Sequence, residues 1–160
     1  MENRKVLLDT SFLISLAQEE RPNHKNATEY FKYLLENGYT LILSSIVVAE
    51  FETKQQIPDS FLKHFQLCNF TFIDGRKAGE LTTTPLRSDG DSNSRDAIKD
   101  DYKLLAQIIN NDIGYIATED SQAIKKIYDP RIEALGLHFR CIDISTNYKA
   151  FFEVPPTLFD

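Results

Sequence analysis

The 160-residue sequence predicts a single three-layer α/β/α domain built on a five-stranded parallel sheet flanked by helices. Short apolar runs alternate with segments whose apolar residues recur at helical spacing, the order that produces right-handed βαβ crossovers. The length suits one domain with one core, expected over about residues 5–145 with a tail at 146–160. The composition, 42% hydrophobic and 26% charged, is that of a globular chain and not of a disordered one.

Lys5–Leu8 is a short apolar run closed by Asp9 and reads as a buried first strand. Thr10 and Ser11 then open a helix containing Phe12, Leu13 and Leu16. From Asn23 to Asn37, Ala27, Tyr30, Phe31, Leu34 and Leu35 fall on one helical stripe, and Gly38 is a natural stop. Thr40–Leu43 reads as the second strand, after which Ser44 or Ser45 can cap a helix through Ile46–Phe51. A shorter helix is expected from Asp59 or Ser60 to about Leu67, a third strand at Asn69–Ile73, and a brief helix at Lys77–Leu81. The polar stretch Thr82–Ser94 reads as a loop. A long helix from Arg95 to Asn110, a strand at Gly114–Thr118, a helix at Ser121–Tyr128 and a strand at Phe139–Ile142 follow, then an extended tail around Pro155-Pro156.

The net charge is −6 and the isoelectric point about 5.1. Proteins that hold nucleic acid by neutralising phosphates are usually basic. The acidic balance opposes such binding unless several acids surround divalent cations, which then supply the local positive charge. Runs such as Leu41–Leu43 are far shorter than a membrane span, and MENRK carries no signal pattern, so a cytoplasmic chain without membrane contact is expected. Cys68 and Cys141 have no CxxC spacing and read as small apolar core residues. The sequence has no GxxxxGK[ST] phosphate loop, GxGxxG, GxSxG elbow or HExxH.

The informative residues are acids in apolar surroundings, because burying a lone carboxylate is costly. Asp9 ends the first strand, where a plain helix N-cap is an equal alternative. Glu50, in SSIVVAEF, shares a helical face with Ile46 and Val47, whereas Glu52 points to solvent. In RDAIKDDYKLLAQII, Asp101 shares the face of Ala97, Ile98, Leu104, Leu105 and Ile108. Asp96 and Asp100 fall beside Lys99, Lys103 and Gln107 on the expected wet side. Asp120 follows the fourth strand and could equally cap the next helix; Glu119 beside it reads as exposed.

Four converging carboxylates would repel one another, and some would hold protons. Hard divalent cations such as Mg²⁺ or Mn²⁺ relieve that repulsion through oxygen ligands and support in-line attack of water on a phosphodiester. No histidine is required, and His24, His64 and His138 stand outside the four acidic segments, where surface or satisfied-core roles are expected.

VLLDTSFLI, SSIVVAEF, DDYKLLAQ and YIATED, in this order, resemble the PIN-domain family, to which many toxin nucleases of toxin–antitoxin pairs belong. The resemblance covers roughly residues 5–125. It implies a PIN-like, Rossmann-like fold, endoribonuclease activity, an acidic Mg²⁺ or Mn²⁺ site, an RNA substrate, a homodimer and an antitoxin partner. It matches the four acids to Asp9, Glu50, Asp101 and Asp120, with Ser11 and Thr118 as helpers at the metal. The spacing from Asp101 to Asp120 is about one residue longer than the family's, which leaves Asp100 or Glu119 as substitutes. Extra sequence at residues 82–95 and at the C-terminus separates the chain from the compact toxins.

Two rival readings stand beside this one. A PIN-like scaffold could bind RNA or protein without cutting, although all four acids are present. A receiver-type signalling domain would use Asp74 as its phosphoacceptor, but Asp9-Thr10 supplies only one acid and Ile142-Asp143-Ile144 no lysine. Arg76, Lys77, Arg87 and Arg95 could touch phosphates or simply line a solvated loop, the favoured alternative.

Overall fold

The computed structural model describes residues 2–83 and 95–153, with the backbone alone for 95–99. Its elements run β1 (Lys5–Leu8), α1 (Thr10–Ala17), α2 (His24–Glu36), β2 (Thr40–Ser44), α3 (Ser45–Phe51), α4 (Asp59–Leu62), β3 (Phe65–Cys68), α5 (Phe72–Thr83), α6 (Arg95–Asn110), β4 (Tyr115–Thr118), α7 (Ser121–Ala123), a π-helical turn (Ile124–Tyr128), α8 (Asp129–Leu135), β5 (Arg140–Asp143) and α9 (Tyr148–Phe152). The five strands form one parallel sheet in the order β3-β2-β1-β4-β5, so the expected fold class is the observed one.

The apolar runs explain the sheet. Leu7 pairs with Ile42 on one side and Ile116 on the other, and all three are buried. Residues buried on both faces are what a parallel sheet covered by helices requires. Each such side chain contributes about 1.5–3 kcal/mol by leaving water. Gly38 has φ +72°, the left-handed conformation expected of the stop after α2. No helix among the described residues is long and apolar enough to cross a membrane.

Gly114, at the entrance to β4, is required for a different reason. A β-carbon there would lie 2.6 Å from the backbone oxygen of Asn3. Gly114→Ala therefore has to push the lead into β1 away from β4, and about 1–3 kcal/mol of stability should be lost. Urea unfolding checks this; an unchanged midpoint would show that the lead moves freely.

Five expectations about the elements are corrected. The third strand is Phe65–Cys68, not Asn69–Ile73, and the helix expected to reach Leu67 stops at Leu62. Pairing of Leu41 with Phe65 and of Ser44 with Cys68 sets that register, while Thr71 and Asp74 start α5 with a reciprocal capping box. Asp74 Oδ2 accepts the Thr71 N–H at 2.9 Å, and Thr71 Oγ1 accepts the Asp74 N–H at 3.2 Å. Asp74 also accepts from Asn110 at 2.8 Å, so it is a buried cap and not a phosphoacceptor. Thr82 and Thr83, expected in the loop, close α5.

At the other end, residues 148–152 are helical rather than extended, because Asn147 caps Lys149 N–H and Phe152 stacks on Tyr33 with ring centroids 4.6 Å apart. Residues 84–94 with Arg87, the side chains of Arg95 and Asp96, and the Pro155-Pro156 tail lie outside the described residues.

The helix expected to end at Tyr128 instead continues through Pro130 by way of the π turn. Pro130 has no N–H to give the carbonyl of Lys126, and in an α-helix its ring would clash with that carbonyl. The chain widens just before it: the Asp129 N–H reaches back five residues to the carbonyl of Ile124. The buried Arg131 guanidinium replaces the missing donor, with Nη1 at 3.5 Å from the Lys126 carbonyl and 3.2 Å from that of Ile127.

Candidate active site

The chain runs outward from β1 to β3 and then returns to β4, so the sheet's switch point lies between β1 and β4. Ligands of open α/β sheets collect there, beyond the carboxyl ends of the strands. Leu8 pairs with Ala117, and the Asp9 N–H extends the ladder to the Ala117 carbonyl at 3.2 Å. Asp9 and Asp120 thus leave adjacent strand ends. Both are also helix N-caps: Asp9 accepts the Phe12 N–H at 3.0 Å, and Asp120 Oδ1 accepts those of Gln122 and Ala123, each at 3.0 Å. The capping alternative is thus observed at both positions, and it places both carboxyl groups at this edge of the sheet.

Ser11 ties the two strand ends. Its hydroxyl donates to Asp9 Oδ1 at 2.7 Å, accepts the Glu119 N–H at 2.9 Å and lies 3.3 Å from Thr118 Oγ1. Thr118 is fully buried and accepts the Asp120 N–H at 3.0 Å. Glu50 arrives on α3, whose start is set by Ser44 accepting the Ile46 N–H. The Thr10 hydroxyl donates to Glu50 Oε2 at 2.6 Å. Sequence reasoning missed this role of Thr10, whose only signal was a hydroxyl next to Asp9. Asp101 arrives on α6 and accepts from the Tyr128 hydroxyl at 3.3 Å.

The acids act on one another. Burial raises Asp9 to about 6, helped by the charge of Asp120 and opposed by hydrogen bonds from Thr118, the Phe12 N–H and Ser11. Burial raises Asp101 to about 7, reinforced by Asp9, Asp120 and Glu50 and opposed by the Tyr128 hydroxyl. Burial also raises Glu50; Thr10 opposes this, while Asp100 and Asp9 add to it. Among the described residues none of Asp9, Glu50, Asp101 and Asp120 is in an ion pair. Nor do any three His, Cys, Asp or Glu side chains among them stand close enough to share one metal ion directly. The carboxylates feel one another's charge without meeting at one point.

The two substitutes left open by the spacing differ. Asp100 is half-exposed, as expected of the wet side; it lies near enough to Glu50 to raise it and accepts from Lys103 at 3.1 Å. The expectation fails further along the helix. Gln107, on that side, is fully buried, accepting from Ser44 at 2.5 Å and donating to the Cys68 carbonyl at 3.2 Å. Glu119 is half-buried, takes the Ser15 hydroxyl at 2.5 Å and pairs with Arg21 at 3.6 Å, so it is committed elsewhere. Of the basic candidates, Arg76 lies over the Phe72 ring at 5.0 Å and Lys77 pairs with Glu80 at 3.4 Å. His24 is satisfied by the Ser15 carbonyl at 2.9 Å, and both cysteines are free and partly buried.

No protein-family model matches the chain, and no curated protein sequence does. Solved structures do resemble it. VapC20 of Mycobacterium tuberculosis, a toxin that cleaves the sarcin–ricin loop, superposes with a TM-score of 0.53 and 18% identity, over 72% of this chain and 90% of that one. VapBC2 of Rickettsia felis, bound to a fragment of promoter DNA, gives a TM-score of 0.58 and 21% identity, over 87% and 99%. At such identities the likeness establishes architecture, and the chain has the PIN-like α/β fold that its motif order implied.

Proposed function

We propose that the chain is a metal-dependent endoribonuclease that hydrolyses RNA phosphodiester bonds at Asp9, Glu50, Asp101 and Asp120. One observation carries the reading: Asp9, Glu50 and Asp101 are pushed toward their protonated forms by burial and by neighbouring acids, and among the described residues no basic side chain is paired with them. A fold keeps such mutual repulsion at a ligand-binding edge when something cationic relieves it.

The donor set fits a hard cation, since it offers carboxylate and hydroxyl oxygens and no nitrogen or sulfur. When bound, Mg²⁺ or Mn²⁺ would offset the charge of the phosphodiester and make a water a better nucleophile. Mg²⁺ usually keeps several waters of its own, which suits acids that do not meet at one point. Asp9, Glu50, Asp101 and Asp120 would hold the ion, and Ser11 and Thr118 would hold Asp9 and Asp120 in place. Thr10 orients Glu50.

RNA as substrate is supported by the likeness to VapC20, and an antitoxin-like protein partner by the likeness to VapBC2. The reading extends, on the resemblance of the sequence motifs, to a cytoplasmic homodimer. The test is cleavage of a mixed pool of structured RNAs in Mn²⁺ and in Mg²⁺ against EDTA. Cutting that stops in EDTA is the expected result. Folded protein that binds Mn²⁺ yet cuts none of the pool would favour the non-cutting scaffold, and protein that binds no metal would sink the site.

A further inference from the structure

Each of the four acids has its own donors. Asp9 has Ser11 and the Phe12 N–H, Glu50 has Thr10, and Asp120 has two backbone N–H groups. Asp101, like Glu50, sits inside a helix, where the backbone N–H groups are already engaged and no cap is within reach. Among the described residues its one hydrogen-bond donor is the Tyr128 hydroxyl, on the π turn.

We infer that Tyr128 is a positioning residue for Asp101, presented by the π-helical turn that Pro130 and Arg131 maintain. The inference rests on the four-carboxylate reading. Tyr128 is 1% exposed, with its ring edge against Phe139 at 6.3 Å, so the side chain has little freedom to turn away. Its hydroxyl meets Asp101 Oδ1 at 3.3 Å, long for an O–H···O bond, and such bonds tighten as a site fills. The other Asp101 oxygen takes no donor from the described residues and is left for a cation.

The backbone connects the same parts. Asp120 caps α7, α7 runs directly into the π turn, and the turn ends at Tyr128. One short segment therefore presents an acid at its start and the orienting donor of another acid at its end. The extra residue in the turn is what sets this register: without it, every side chain beyond would rotate by about 100° about the axis.

The experiment is calorimetric titration of Mn²⁺ into the full chain, wild type against Tyr128→Phe, with thermal melts of both metal-free proteins. Removing a group that orients a metal ligand costs about 10–100-fold in metal affinity, so binding should weaken about ten-fold or more. The metal-free melts should differ by only a few degrees, because Phe keeps the ring packing and loses one weak hydrogen bond. A Phe variant that binds Mn²⁺ as tightly as wild type would overturn the inference, whatever its melting point. So would weaker binding that merely tracks the fraction of unfolded protein, since Tyr128 would then be a satisfied core hydroxyl. Wild-type protein that takes up no Mn²⁺ removes the four-carboxylate reading itself and this inference with it, an outcome distinct from a difference between the two proteins.

Discussion

Asp9→Asn should lower Mn²⁺-supported RNA cleavage by about 100-fold or more while leaving the fold intact. The magnitude follows from the position: residues that only orient a metal ligand already cost about 10–100-fold, and Asp9 is placed among the ligands themselves. The substitution is informative because it removes little else. Asn is as good an N-cap as Asp, so the amide oxygen can still take the Phe12 N–H and the Ser11 hydroxyl that now meet Asp9 Oδ1. What disappears is the charge. Since burial already raises Asp9 to about 6, removing that charge should leave the metal-free protein as stable as wild type or slightly more so. Single-turnover cleavage and a thermal melt on the same preparation decide it. A variant that melts normally and retains a tenth or more of the wild-type rate would take Asp9 out of the reaction centre.

The metal-free protein should lose stability as pH rises from about 4 to about 7, the reverse of the usual behaviour of salt-bridged carboxylates. The sign comes from the direction of the shifts. Asp9 and Asp101 lie at about 6 and about 7 in the fold, above the ordinary 3.8, so across that window the folded chain binds more protons than the unfolded one. Stability then falls with increasing pH, and the loss is complete above the folded values. Both side chains keep partial access to solvent, which reduces the effect to about 2 kcal/mol, or ~4–8 °C in melting temperature for a chain of this length. Mn²⁺ should restore the loss, most strongly at the high end, because it binds the ionised acids. A metal-free melting temperature that rises between pH 5 and pH 8 would show that these acids are not forced together. The pH series and the Asp9→Asn melt are linked: the variant should show a shallower fall.

Much of this site could be read from residue order. The apolar runs at Lys5–Leu8 and Tyr115–Thr118 each end in an acid, and a run of that kind followed by a capping residue encodes a strand end and a helix start within a few positions. Asp101 stood out because it shares the face of Leu104 and Leu105, and it is indeed half-buried among acids. The same reasoning failed further along the helix. Gln107 was assigned to water because a helical stripe was assumed to have one covered side, whereas α6 packs on α5 and Gln107 also reaches Ser44 of β2 and Cys68 of β3. The third strand was misplaced by apolar residues, Phe72 and Ile73, that do not enter the core. Phe72 and Ile73 are exposed at the start of α5, and the Thr71–Asp74 capping box was the overlooked signal.

By itself, then, the amino-acid order determined the alternation of strands and helices, the parallel sheet, and the identity of the acids at the ends of β1 and β4, because each depends on contacts within one turn or one strand. Tertiary structure decided which strand register β3 takes, that Asp100 lies against Glu50, that Thr10 and Tyr128 serve Glu50 and Asp101, and that the chain passes Pro130 as a π turn. Apart from the π turn, which Pro130 and Arg131 set locally, those outcomes depend on groups 24 to 50 residues apart, such as Leu41 with Phe65 and Thr10 with Glu50, and no local pattern records a contact across that separation.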